Sequence, residues 1–357
     1  MTLVKAVSSP NYLTNLIIGL LSFTALVPII NILVDPTEVF GTDVFPHSFQ
    51  INDRFRKTEH LLENRDKYSG FLMGSSRMGY IDPSLFSSKL NRGEAYNLNL
   101  SSANVWDYLE MTRFLLKEGF DIELLVVQMD ITLHYGDRLR YQHHPRFDGT
   151  SRTRFFVNNL FSFPYKSLAG KIWFNLIGRD SVQMEWTTGL RSRPWEEASI
   201  KRDHEAYLKH EVSFSRKKEP WQRGIREEFK SATDKSVLAV RELLLLGQEY
   251  DFSIYVFVTP HNQHYLDDFS WEEFQYFLVS LSEITEFWCF AGYNSITTDD
   301  RNFYESSHYR PFVGALVSQR LLQDRNLRTA EDFGVFISPS SLREALDGLR
   351  FGFEKKR

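Results

Sequence analysis

The stretch Tyr68-Ser-Gly-Phe-Leu-Met-Gly-Ser-Ser-Arg77 decides how the chain is read. Its apolar run, Phe71-Leu72-Met73, stops at Gly74 and is followed by two serines and an arginine. A short unbroken apolar run predicts a buried strand, and the glycine predicts the sharp turn that leaves it. In an open parallel sheet, sites form outside the carboxyl ends of the strands. A serine there is a candidate nucleophile if a base can take its proton. Far downstream, Glu305-Ser-Ser-His308 offers an imidazole with a carboxylate three residues before it. Taken alone, the serine turn reads as a cap on the strand end and the histidine as a surface residue. Their occurrence at opposite ends of one α/β pattern favours chemistry.

The pattern on either side of that turn is strand, helix, strand, helix, strand. Asp82-Pro83 opens a short helix, because aspartate caps and proline fits the first turn. Ala95–Leu100 is a second strand, and Asn104–Lys117 a helix that Gly119 ends. Glu123–Gln128 is a third strand, apolar throughout as interior parallel strands are. The rhythm resumes at Asp234, with a helix over Val237–Glu249 and the strongest strand signal in the chain at Phe252–Thr259. A helix from Trp271, a short apolar stretch at Phe287–Ala291 and a helix over Pro311–Leu322 complete it. Alternation of this kind indicates a mostly parallel, doubly wound sheet in a three-layer α/β sandwich. The α/β domain is expected over residues 68–133 and 233–325, after a lead-in over 35–67. Residues 326–357 are expected to be a peripheral extension whose last few, Glu354–Arg357, are disordered.

Tyr12–Val34 carries no charge over 23 residues, enough to cross a bilayer. Lys5 and the free amine precede it within a tail of residues 1–11, and Asp35, Glu38 and Asp43 follow it. The positive-inside rule then leaves the N-terminus in the cytoplasm and the rest periplasmic or extracellular, held by a single-pass anchor in the cytoplasmic membrane. A cleaved signal peptide fits less well, since the run is long and no Ala-x-Ala site follows it.

Composition narrows the rest. The 357 residues have a net charge of −4, which gives no overall footprint for nucleic acid. One cysteine, Cys289, excludes an internal disulfide. Neither a glycine-rich phosphate loop nor a Cys/His zinc spacing is present, and no cofactor is implied. His261 and His264 follow the strongest strand and could line a pocket, but no carboxylate cluster makes them a metal pair; His143-His144 is weaker still. Between residues 134 and 232 the strand rhythm is lost, and 19 Lys and Arg stand against 12 Asp and Glu. Trp173, Trp186, Trp195 and Trp221 fall in this largely helical insertion, and Arg154–Gly178 has helical apolar spacing. It reads either as a lid or platform for a glycan, an anionic polymer or the membrane surface, or as an ordinary helical insertion with a solvated basic face.

Acyl transfer by serine needs a nucleophile, an oriented base and donors for an oxyanion. Gly74-Ser75-Ser76 with Glu305 and His308 supplies the first two, and in their order resembles the SGNH (GDSL-type) hydrolase superfamily. GSSR stands where many members have GDS, so Ser76 matches the nucleophile, and Glu305-Ser-Ser-His308 is similar to the family's Asp-x-x-His. The wider phrase Glu305-Ser-Ser-His-Tyr-Arg-Pro-Phe-Val-Gly314 looks like the same region in membrane-anchored members that modify envelope polymers, as in alginate O-acetylation and teichoic acid D-alanylation. The resemblance covers residues 68–130 and 250–322 and implies an SGNH/flavodoxin-like sheet. An α/β-hydrolase elbow, Gly-x-Ser-x-Gly, would need a glycine where Met78 stands.

Two departures bear on the oxyanion hole. Ser102 stands where the family has a glycine whose N–H donates; a backbone N–H survives the change. Asp130 stands where the family has asparagine, and an ionised aspartate cannot donate. Asn99 or Asn104 would then have to substitute, or the hole is weak. Ser75 and His264 are further pocket candidates, and Arg77 is either a contact for an anionic substrate or an ion pair near the turn. The resemblance implies an esterase or O-acyl(acetyl)transferase acting on an envelope polysaccharide, with an acyl donor and a membrane-embedded acyltransferase as partners. The alternative is a catalytically degenerate binding or scaffold protein of a polysaccharide-modification complex.

Overall fold

The computed structural model describes residues 10–131, 151–214, 224–323 and 330–356; Lys5, His143-His144 and Trp221 lie outside them. Among these residues the chain divides into two compact units. One holds residues 10–56, 151–183 and 193–195; the other holds the remainder. The insertion expected over 134–232 is thereby shared between the two units.

The larger unit is mixed α/β around a six-stranded sheet. Its strands are β1 (Tyr68–Gly74), β2 (Glu94–Asn99), β3 (Leu124–Met129), β6 (Ser253–Val258), β7 (Phe287–Cys289) and β10 (Val335–Ile337). Four lie outside the sheet: β4 (Gln183–Met184) pairs with β5 (Arg191–Ser192), and β8 (Phe303–Glu305) pairs with β9 (His308–Tyr309). The sheet runs β10-β7-β6-β3-β1-β2, with every neighbouring pair parallel except β10 and β7. All residues of β1 and β3 are buried, which is why both read as unbroken apolar runs rather than alternating ones. Helices Val105–Lys117 and Glu227–Tyr250 pack on each other beside these strands. Asn104 caps the first of them through a full capping box with Asp107.

The C-terminal segment corrects the expectation of a peripheral, partly disordered tail. Val335–Ile337 adds an antiparallel edge strand to the sheet, and Phe333 and Ile337 are fully buried. Helix Leu342–Lys356 follows and sets Phe353 against Trp271 and Phe274, with ring centroids 5.4 and 5.2 Å apart. Its charges hid an apolar stripe at helical spacing.

In the smaller unit, helix Pro10–Val34 includes the one described span, Tyr12–Val34, long and apolar enough to cross a membrane. Near its end Val27, Asn31 and Val34 turn inward against helices Arg152–Phe161 and Tyr165–Leu176. Just beyond, Asp35 accepts from the backbone N–H of Val39 at 2.8 Å and Gly41 at 2.7 Å, which folds the chain back sharply.

Candidate active site

The strand β1 stops because Gly74 has no room for a side chain. A Cβ there would collide with the amide oxygen of Gln128 and with Cβ of Met78. The backbone then tightens into a 3₁₀ turn, with Met78 N–H donating to the Ser75 carbonyl at 3.0 Å and Ile81 N–H to Met78 at 3.0 Å. This turn sends the two serines in different directions. Ser75 is buried, and its Oγ accepts from Gln128 Nε2 at 3.3 Å. Ser76 points the other way, and its Oγ lies 2.6 Å from Nε2 of His308.

His308 and Glu305 come from a separate two-stranded hairpin, in which the register sets Glu305 directly opposite His308. Glu305 Oε1 bonds Nδ1 of His308, and its other oxygen accepts from the N–H of Ser307 at 2.8 Å. The carboxylate can accept only, so Nδ1 carries the proton and Nε2 presents its lone pair to Ser76. The contacts Ser76–His308–Glu305 place a hydroxyl, an imidazole and a carboxylate in line, the arrangement a nucleophile, a general base and its orienting group would require. Both His308 and Glu305 are partly exposed, so solvent and small molecules can reach them.

The hairpin is braced from several sides. Tyr304 and Tyr309 are fully buried, and the Tyr80 ring meets His308 edge-on at 6.3 Å. The Tyr207 hydroxyl donates to the Tyr304 carbonyl at 2.7 Å, and Tyr304 in turn bonds Glu197 at 2.5 Å. Ser213 Oγ accepts from Ser306 N–H at 3.2 Å. Residues 197–213 of the expected insertion therefore brace the hairpin that carries His308. Helix Pro311–Leu322 leaves the hairpin with Gly314 against the nucleophile turn, where a Cβ would meet the Tyr80 carbonyl oxygen.

Arg77 and Asp130 form an ion pair at the same edge of the sheet. Arg77 is buried, its Nε donates to the Ser307 carbonyl at 2.6 Å, and its guanidinium lies 5.6 Å from the centre of the Tyr265 ring. Burial works against its charge, yet Asp130, with Tyr265 and Glu305, holds it above its ordinary range. The ion-pair reading of Arg77 is the one observed, and its guanidinium is committed to protein partners. Asp130 also faces His261, whose Nε2 lies 3.1 Å from Oδ1 without the alignment of a hydrogen bond. Nδ1 of His261 lies 3.1 Å from the Thr259 carbonyl and so bears the proton of the neutral ring. Burial pushes the imidazole below its ordinary range, although Asp130 pulls it up.

The remaining pocket candidates divide. Ser102 lies in the loop after β2, which Leu100 N–H ties to the Gly74 carbonyl at 2.9 Å. Its φ is +54°, in the left-handed region that glycine favours. Asn99 ends β2 opposite Gly74, fully buried, and its Oδ1 accepts from Lys57, while its Nδ2 has no hydrogen bond among the described residues. Asn104 uses its side-chain oxygen on the N–H groups of Trp106 and Asp107, which is a capping role. His264 turns to Asp300, 3.2 Å away, and the neighbouring His261 is the histidine that joins the Arg77–Asp130 pair.

Two participants were not among the sequence candidates, Gln128 behind Ser75 and Lys57, and His261, read from the sequence as pocket-lining, proves to face Asp130. The ends of β3 and β6 lie side by side, with Thr259 N–H donating to Met129 at 3.0 Å, and strand pairing alone would have brought Asp130 and His261 together. Lys57, on helix Asp53–Glu63, is fully buried and donates to the carbonyls of Asn97 and Gly189, each at 2.8 Å. No sequence signal separates it from a solvated lysine on a polar helix. Among the described residues no group of three His, Cys, Asp or Glu side chains is arranged to hold a metal ion.

Compared with protein families and with curated proteins, the chain matches none.

Proposed function

We propose that the chain is a membrane-anchored, extracytoplasmic serine enzyme of the SGNH type, an esterase or O-acyl(acetyl)transferase acting on an envelope polysaccharide. The observation that carries this reading is the contact chain from Ser76 Oγ through His308 to Glu305. As Oγ bonds the acyl carbon, His308 Nε2 takes its proton, and the leaving group then receives that proton from the imidazolium. In the second half water or a sugar hydroxyl attacks the acyl-Ser76 ester with His308 taking its proton, the acyl–Oγ bond breaks, and the imidazolium returns the proton to Ser76 Oγ. Glu305 fixes the tautomer and balances the imidazolium charge.

The strand order supports the sandwich. Read from β2, the parallel strands follow as first neighbour β1, then β3, β6 and β7, which is the flavodoxin-like 2-1-3-4-5 order. Ser76 follows β1 and Asp130 follows β3, on the two sides of the switch point where such sheets bind ligands. The apolar span and the charges around it support the anchored, outward-facing topology. Partners on this reading are an envelope glycan, an acyl donor and a membrane-embedded acyltransferase.

Intact-protein mass spectrometry after exposure to an activated acetyl ester tests it. Wild type should gain one acetyl group and Ser76→Ala none; an acetyl group retained on Ser76→Ala would remove the assignment. A scaffold function is favoured by one observation. Asp130 is tied to Arg77 and accepts only, so it supplies no oxyanion donor.

A further inference from the structure

Helix Tyr165–Leu176 places polar groups inward, beside Phe174 stacked on Phe49 with ring centroids 5.6 Å apart, and an apolar stripe outward. Its inward face carries Ser167, whose Oγ donates to Gln50 at 2.7 Å, and Lys171, which is buried with Nζ 3.6 Å from Glu38. Asn175, on the same face, donates to the His47 carbonyl at 2.7 Å and accepts from the His47 N–H at 2.9 Å. Its outward face is the stripe Tyr165, Ala169, Trp173 and Leu176, all exposed, with Leu176 at 77 %. In water a surface helix places its apolar stripe against the core and its polar groups outside. The reverse arrangement calls for an apolar medium beyond the stripe.

The apolar membrane-spanning helix meets these two helices within the same compact unit. Asn31, three residues before the end of that helix, donates to the carbonyls of Leu160 at 2.8 Å and Ser162 at 2.6 Å. These bonds fix the turn between helices Arg152–Phe161 and Tyr165–Leu176 to the end of the apolar span. Phe161 and Phe163, on either side of Ser162, are both more than half exposed. Exposed cations nearby include Arg152, Arg154 and Lys166, and Lys166 lies 6.0 Å from the Tyr165 ring centre. Aromatic side chains with a cationic rim are the composition of a segment lying in the headgroup region.

We infer that helices Arg152–Phe161 and Tyr165–Leu176 form a collar lying in the bilayer interface, with Phe161, Phe163, Tyr165, Trp173 and Leu176 facing lipid of an anionic leaflet. The partner is the lipid surface itself, continuous with the lipid around the apolar span. The inference uses the membrane-spanning reading of that helix and is independent of the serine chemistry.

Spin labels on introduced cysteines test it in the full chain, reconstituted in phosphatidylcholine vesicles containing phosphatidylglycerol. Cys289 is buried and its thiol is pushed up to about 12 by that burial, so surface cysteines are labelled selectively. Leu20→Cys reports the span, Trp173→Cys and Tyr165→Cys the collar, and Leu238→Cys an exposed position on the α/β unit. Labels at 20, 165 and 173 are expected to collide with oxygen severalfold more than with a water-soluble nickel complex, and the label at 238 the reverse. A label at 173 that behaves as at 238, while 20 is in lipid, would overturn the collar alone. A label at 173 shielded from both reagents would mean that a second copy of the chain covers the stripe, and would also overturn it. A label at 20 in water would remove the anchor and the collar together, leaving the serine site untouched.

Discussion

Arg77 Nε donates to the Ser307 carbonyl at 2.6 Å, a bond that helps join the turn carrying Ser76 to the hairpin carrying His308. The residue next to Ser76 thereby holds the residue next to His308. Its Nη1 is paired with Asp130, so the distance from Ser76 to His308 depends on a buried ion pair.

Removing the cation should therefore be costly. Arg77→Leu leaves Asp130 without its counter-charge in a largely buried place, and breaking such a pair costs about 3 kcal/mol. Chemical denaturation of the purified chain measures it. A loss below about 1 kcal/mol would mean that the pair is not the clamp described.

Acid should weaken the fold through His261. Its folded imidazole titrates below its ordinary value because it is buried, so the unfolded chain binds the proton more readily. The stability from the neutral ring is complete above about pH 6.5 and is lost as pH falls through the lower, folded value. Denaturation midpoints should fall between about pH 7 and about pH 5, and less steeply in His261→Asn. Equal slopes in both proteins would assign the acid sensitivity to other groups.

The left-handed backbone of Ser102 should be relieved by glycine. At φ +54° a side chain costs about 1–2 kcal/mol, offset in part by the greater freedom glycine gives the unfolded chain. Ser102→Gly should stabilise by about 0.5–1 kcal/mol, read by thermal denaturation. Destabilisation would show that the serine side chain makes a contact worth more than the strain.

Gly314→Ala should act on both stability and reactivity. The added methyl group meets the Tyr80 carbonyl, pushing helix Pro311–Leu322 away from the nucleophile turn at a cost of about 1–3 kcal/mol. Acylation of Ser76 should slow as the hairpin shifts. Unchanged stability and rate would show that the turn has slack.

Strands β1 and β3 were legible because each is buried on both faces and carries an apolar run. The turn at Gly74 and the pairing of Ser76 with His308 were legible because the residue types announced them. The C-terminal strand was not: Val335–Ile337 is three residues long and pairs only at an edge. Asn104 was read as a donor because its type permits it; the structure shows its side-chain oxygen capping a helix and leaves the amide nitrogen's role untested. His264 was chosen over His261 because sequence does not show which of two nearby histidines the strand end turns inward. Helix Tyr165–Leu176 has the apolar spacing of an ordinary one, and the inward contacts of Ser167, Lys171 and Asn175 show which face is outside.

The most direct measurement is fluorophosphonate labelling of the folded full chain beside Ser76→Ala, His308→Ala and Glu305→Gln. Wild type should be labelled on Ser76, Ser76→Ala and His308→Ala should lose the label, and Glu305→Gln should react more slowly by orders of magnitude because the tautomer is no longer held. A folded wild type that takes no label, or a label that survives Ser76→Ala, would contradict the serine chemistry.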